Sequence, residues 1–358
     1  MGRGSVILPL PMSLTPAERQ DRFHAAFLGL AIGDALGFPL RGIPPASLAR
    51  LPGLAEDFAP RPRGKFAKGQ FSDDTQLMLA AAESVIREGK VDGRSAAAHL
   101  AWLWQEGIIL QPPKQLAESL QKLAQGTPWM SAGAPLGVKC PSVLSRAVVV
   151  GLFESKSRVR IRHDAGVLTV LTHKDPTCAA AAAAFAQAVA LGLTTKEPLT
   201  PAAFCEELAL SAAAHDKELA EELRHLPRLL TWDTARALTQ LRKVSVPPSQ
   251  LRGVDGLPPH VVPVLLTSLF ATLKVPHDFR QAVELTLRCG GEADVAAACT
   301  GALLGAHLGT AAIPARLRKN VLYADTLLDA ADRLFQARQV RETLATALAQ
   351  QNQHKRRR

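Results

Sequence analysis

The chain has 358 residues, 47% of them hydrophobic and 21% charged, which excludes a disordered or fibrous chain and supplies a core without disulfide or metal staples. Aromatic residues make up 5%, with a single Tyr, so nucleic-acid binding on stacked aromatic platforms is disfavoured. The formal net charge is +10, and +6 remains once the Lys and Arg of residues 354–358 are set aside, a surplus that suits an anionic small ligand as well as a nucleic acid.

The five cysteines form no C-x-x-C pair and lie among apolar neighbours, which reads as reduced, mostly buried thiols in a cytoplasmic protein. Residues 6–10 are apolar but interrupted by Pro9, so no signal peptide is expected. No membrane span is expected either: the longest near-apolar stretch, 295–313, is broken by Thr300 and His307.

In chain order, the first helix begins at Thr15 and Pro16 and runs through Phe23, Phe27, Leu28 and Ile32. Gly29, Gly33 and Gly37 recur on it every fourth residue and make a smooth face for close approach. Residues 42–68, dense in Pro, Gly and Arg, read as a loop. Helices follow over 73–88, 94–105 and 114–125, then a Gly/Pro loop over 127–141. Further helices are predicted over 142–154, 161–171, 176–191, 201–213, 216–229 and 231–243. After a Pro/Gly region at 247–263 the pattern resumes at 262–274, 277–288, 294–309 and 323–349. There is no strand-turn-strand pattern and no fixed-period repeat. The reading is an all-α domain over 15–350, between a flexible segment, 1–14, and a basic tail, 351–358.

Three constellations carry chemistry. In Ser72-Asp73-Asp74-Thr75 a hydroxyl and two carboxylates sit at a helix start. Such oxygens suit a hard cation, but Ser-Asp-Asp is also ordinary capping, with acids favoured by the helix dipole. In Cys289-Gly290-Gly291-Glu292-Ala293-Asp294 two glycines release the chain into another acidic helix start, behind which Gly301, Gly305 and Gly309 repeat the smooth face. Glu292 and Asp294 are two apart and converge only if Glu292 precedes the helix. The two glycine faces and two acidic starts point to a central helix pair with clustered carboxylates. In Thr172-His173-Lys174-Asp175-Pro176, Asp175 caps a helix holding six consecutive alanines and His173 stands at its entry, where a lone His is more often structural than ligand-binding.

Taken in order, these three segments and Gly33-Asp34-Ala35-Leu36-Gly37 resemble the ADP-ribosylglycohydrolase family, the proteins related to dinitrogenase-reductase-activating glycohydrolase, over residues 23–310. The resemblance implies an all-α orthogonal multi-helix bundle, a two-metal Mg²⁺ or Mn²⁺ centre, and hydrolysis of ADP-ribose from an ADP-ribosylated protein or a small ADP-ribosyl compound. It places Ser72, Asp73, Asp74, Glu292 and Asp294 at the metals, with Asp73, Asp74 and Asp294 as the catalytic carboxylates. It places Gly133, Gly137, Lys139, His173 and Arg41 at the substrate, the loop 131–139 cradling phosphates.

The chain departs from the family pattern at several of these positions. Ser72 stands for a Thr, Glu292 for an Asp, and Val295 for a Thr that would be a ligand. Pro135 removes an amide from the loop, Val138-Lys139 stands for Met-Arg, and Arg41 stands where many members carry a Glu. The expectation is one well-formed metal site and a second that is weakened. The alternative is a family member that binds ADP-ribose without turnover. A monomer without membrane association is expected, with a nucleic-acid role through the tail disfavoured.

Overall fold

The structure, a computed structural model, describes residues 14–356. Thr15 opens the first helix reciprocally. Its hydroxyl accepts the Glu18 amide at 3.2 Å, and the Glu18 carboxylate accepts the Thr15 amide at 2.7 Å, with Pro16 in the first turn. The order is α1 (Pro16–Gly37), α2 (Pro45–Leu48), α3 (Asp73–Glu88), α4 (Gly93–Gln105), α5 (Lys114–Ala124), α6 (Trp129–Ala132), α7 (Leu144–Phe153), α8 (Arg158–Val170) and α9 (Pro176–Thr194). It continues with α10 (Pro201–Ala212), α11 (Lys217–Leu229), α12 (Thr234–Leu241), α13 (Pro248–Leu251), α14 (Val261–Lys274), α15 (Phe279–Leu287), α16 (Ala293–Leu308), α17 (Ala315–Asn320) and α18 (Ala324–Arg356). No strand occurs among the described residues; two isolated parallel bridges, Ala134 with His173 and Leu257 with Gly291, tie loops together.

The all-α class is as expected, and the long helices fall close to their predicted positions. The short helices α2, α6 and α13 lie in stretches read as loops, and α17 lies between two predicted helices, because a turn or two of helix is too short to display a 3.6-residue period. Helix α8 starts at Arg158, where Ser157 accepts the Arg160 amide, rather than at 161. Helix α18 continues to Arg356 through most of the expected tail, following a run rich in helix-forming Leu, Ala and Gln. Residues 1–13 of the expected flexible segment, and 357–358, lie outside the described residues.

The two glycine-bearing helices pack antiparallel at the centre. Gly29 opposes Gly301, Gly33 opposes Ala297, Gly37 opposes Asp294 and Gly305 opposes Ala25. A methyl at any of these glycines would run into the facing backbone, so hydrogen is the only side chain the approach admits. This register puts the C-terminal end of α1 against the N-terminal end of α16, and so brings Asp34 and Asp294 into one neighbourhood. Beside the pair, the alanine run of α9 is buried among α7, α8, α10, α14 and α16, its small side chains letting five helices converge.

Two helical stretches, 16–40 and α9, are long and apolar enough to cross a membrane by length and composition, whereas α16, within the near-apolar stretch noted in the sequence, is too short. In both, 83% of the apolar window is buried against other helices, so their apolar faces are already used as protein core.

Candidate active site

Asp34 organises the centre. Its side chain is fully buried and accepts the Ser72 hydroxyl at 2.7 Å and the Thr75 hydroxyl at 2.6 Å. It also accepts the Ser72 amide at 3.0 Å and the Thr75 amide at 3.1 Å. Thr75 lies in the first turn of α3 and Ser72 immediately precedes it, so Asp34 caps that helix from α1. This corrects the expectation of a self-capping Ser72, whose hydroxyl makes no cap bond because it donates to Asp34 instead.

The turn held in this way presents Asp73 and Asp74, each 1% exposed, toward Asp294 on the first turn of α16. Burial, together with neighbouring Asp34 and Asp294, lifts the Asp73 carboxyl to about 7 even against Arg41. Asp74 is pushed well above the carboxylate range by burial and then by Asp73, Asp34 and Asp294. One oxygen of Asp74 and one of Asp294, both Oδ1, are buried without a hydrogen-bond partner. Glu292 precedes α16, as the convergence of the second acidic pair requires, and burial beside Asp294 raises it to about 7.

Arg41 occupies the middle of this group. Its Nη2 lies 3.1 Å from Ser72 Oγ, 3.3 Å from Asp73 Oδ1 and 3.9 Å from Asp74 Oδ2, and its Nε donates to Asp294 Oδ2. Its Nη1 donates to the Gln111 carbonyl at 3.1 Å. Burial works against its charge, but Asp294, Asp73 and Asp74 outweigh that and hold the guanidinium above its usual range.

Beside the acids lies a cleft of about 460 Å³, lined by Glu292, Lys139, Gly137, His260 and Gln115 among others. Lys139 is held there by its own carbonyl, which accepts the Val261 amide at 2.7 Å. His260 starts α14, its Nδ1 accepting the Val262 amide at 3.3 Å, and burial beside Lys139 lowers it to about 4, so it is neutral.

The expected phosphate cradle is not built as a nest of free amides. The Gly137 amide donates to Asp175 Oδ2 at 2.8 Å, the Ala134 amide to the Thr172 carbonyl at 2.8 Å and the Val138 amide to the Pro135 carbonyl at 3.3 Å. Gly137 therefore lines the cleft as a turn with φ +88°, and Gly133 is buried against the backbone of Val170 and His173, away from the cleft. His173 is also interior. It is 1% exposed, its Nδ1 is 3.0 Å from Thr172 Oγ1, its Nε2 is unpartnered, and burial with neighbouring Arg146 lowers it to about 3. At the entry of α9, Asp175 accepts both the Thr177 amide, as that helix's cap, and the Gly137 amide of the loop.

Asp34, Arg146 and His260 are not among the residues the sequence reading places at the site. Asp34 stands within the Gly33–Gly37 motif, and His260 follows two prolines at the start of an apolar run; both are visible signals of a structured turn. Arg146 carries no signal, lying in the predicted helix 142–154. Its guanidinium is 1% exposed, donates to Thr172 Oγ1 at 2.6 Å and leaves Nε and Nη1 unpartnered.

The family model for ADP-ribosylglycohydrolase matches residues 15–344. The chain belongs to the ADP-ribosylglycohydrolase family. It is 28% identical to an uncharacterized protein of Archaeoglobus fulgidus over 88% of this chain and 97% of that protein. It is 26% identical to an ADP-ribosylarginine hydrolase of Pseudomonas putida over 90% of this chain and 80% of that protein. A solved structure of an ADP-ribosylglycohydrolase-related protein complex superposes with a TM-score of 0.67, covering 90% of this chain and 99% of that chain at 23% identity, which bears on the fold. The all-α bundle is therefore the ADP-ribosylglycohydrolase fold.

The donors of this ADP-ribosylglycohydrolase centre, carboxylate and hydroxyl oxygens, have the chemistry a hard cation takes. Their placement does not fit one. Mg²⁺ needs its oxygens converged at about 2.0–2.1 Å. Here Arg41 Nη2 already lies between 3.1 and 3.9 Å from three of the donors. Among the described residues no set of three or more His, Cys, Asp and Glu side chains is arranged to hold a metal ion. Val295, at the position expected to lack a ligand oxygen, is buried and apolar.

Proposed function

We propose that this chain cleaves ADP-ribose from an ADP-ribosylated protein or a related ADP-ribosyl compound. The observation that carries this reading is Glu292. It is the one acid of the group that also lines the cleft, and its carboxyl titrates at about 7, where a proton-transfer group works at neutral pH. Lys139 at the cleft wall supplies a cation for a diphosphate. Behind Glu292, Asp73 and Asp294 are tied together through Arg41, and burial among Asp73, Asp34 and Asp294 pushes the Asp74 carboxyl well above the usual carboxylate range. Similarity to an ADP-ribosylarginine hydrolase supports the substrate class and leaves the acceptor side chain open.

Arg41 favours a second reading, a protein that binds ADP-ribose without turnover, because it holds three of the carboxylates in ion pairs. Release of ADP-ribose from a modified protein, measured beside Asp74→Asn and Glu292→Gln, separates the two. Turnover lost in both variants supports hydrolysis. Tight ADP-ribose binding with no release by the unaltered protein sinks it and leaves the binder.

A further inference from the structure

We propose that Arg41 is the resident cation of the carboxylate centre, standing in for a divalent metal, and that the protein folds and takes its ligand without one. For the ligand, this rests on the ADP-ribosyl reading above; for the centre itself, it rests on geometry alone.

One guanidinium contacts four of the five residues that the resemblance places at the metals: Ser72, Asp73, Asp74 and Asp294. Its position is built by the backbone on both sides. The Gly42 amide donates to the Gly291 carbonyl at 2.9 Å, and the Gly291 amide donates to the Ile43 carbonyl at 3.2 Å. The segment carrying Arg41 is thus stitched to the turn that launches Glu292 and Asp294. Gly291, at φ +64°, has no room for a side chain against Leu257, so that turn has one shape. On its other side Arg41 lies over the Phe38 ring at 5.8 Å, and its carbonyl accepts from Arg63 at 3.4 Å.

A metal and this guanidinium are alternatives. Both need the same oxygens, and placing a dication beside an arginine in a buried site sets like charges together. The exchange changes the chemistry. A guanidinium offers fixed N–H donors to hydroxyl and carboxylate oxygens, whereas a metal offers open coordination positions and lowers the pKa of bound water. With Arg41 in place, water at this centre is activated by carboxylates such as Glu292.

The test uses the full chain, stripped with EDTA and dialysed. Mn²⁺ is titrated by calorimetry and by the electron paramagnetic resonance of the free ion, into the unaltered protein and into Arg41→Ala. Thermal midpoints are recorded with EDTA and with Mn²⁺, and ADP-ribose binding is measured in both. The expected result is no saturable Mn²⁺ binding tighter than millimolar in the unaltered protein, the same midpoint in either buffer, and the same ADP-ribose affinity in both. Arg41→Ala is expected to gain a Mn²⁺ site and a midpoint that rises with Mn²⁺.

Micromolar Mn²⁺ binding by the unaltered protein overturns the proposal, as does ADP-ribose binding that requires the metal. So does a folded Arg41→Ala that gains no site. If Arg41→Ala does not fold, the titration of the unaltered protein decides alone. If ADP-ribose does not bind in any buffer, the functional reading fails while the Mn²⁺ arms still judge the cation.

Discussion

Asp34 and Thr75 lie 41 residues apart and are joined twice, the Thr75 amide and hydroxyl both donating to the same Asp34 oxygen at 3.1 and 2.6 Å. The start of α3 is therefore held by α1, and the acids on its first turn are placed by an interhelical bond rather than by their own cap. Asp34→Ala leaves those donors, and the two of Ser72, buried and unpaired. The expected loss is about 3 kcal/mol or more, read as a lower urea midpoint at unchanged slope. A loss under about 0.5 kcal/mol would mean that the bonds do not hold the turn.

A glycine packed between α1 and α16 and a glycine in open space on α8 make opposite predictions for the same substitution. Gly33→Ala drives a methyl into the Ala297 carbonyl and is expected to destabilise by about 3 kcal/mol. Gly166→Ala, on α8, meets only His215 Cε1 at 3.9 Å. It is expected to stabilise by roughly 0.5–1 kcal/mol through helix propensity. Thermal unfolding of the two variants side by side checks both signs.

Glu292 imposes a pH dependence of known sign. Its folded carboxyl titrates at about 7 against an ordinary value of 4.5. Between those values the folded chain holds the proton and the unfolded chain has released it, so the favourable contribution, complete below 4.5, is lost as pH rises toward 7. Glu292→Gln removes that slope. The midpoint difference between the unaltered protein and Glu292→Gln should shift toward the variant as pH climbs through this window. A difference independent of pH would refute the raised carboxyl.

Arg146 is a buried charge with two unpartnered nitrogens, lowered by burial to about 10 and so still a cation at neutral pH. Such a charge costs desolvation that one bond to Thr172 does not offset. Arg146→Met keeps the volume and removes the charge, and is expected to leave stability unchanged or raise it by about 1 kcal/mol. Denaturant unfolding reads this directly, and a loss of about 3 kcal/mol would show that the guanidinium has a partner of its own.

The chain by itself determined the helices, their caps at Thr15 and Asp175, and the two acidic starts at 73–74 and 292–294, because caps and periodicity act within a turn or two. The four-residue glycine spacing also made the central pair legible, since such a face is useless without a close neighbour. Tertiary structure alone decided which groups meet. Asp34 rather than Ser72 caps α3, Asp175 takes the Gly137 amide from the expected phosphate cradle, and Arg41 reaches Asp294 across 253 residues to fill the space the motifs reserve for a cation. Those outcomes depend on the helix register and on the burial that makes each polar group find a partner, and neither is encoded in local spacing.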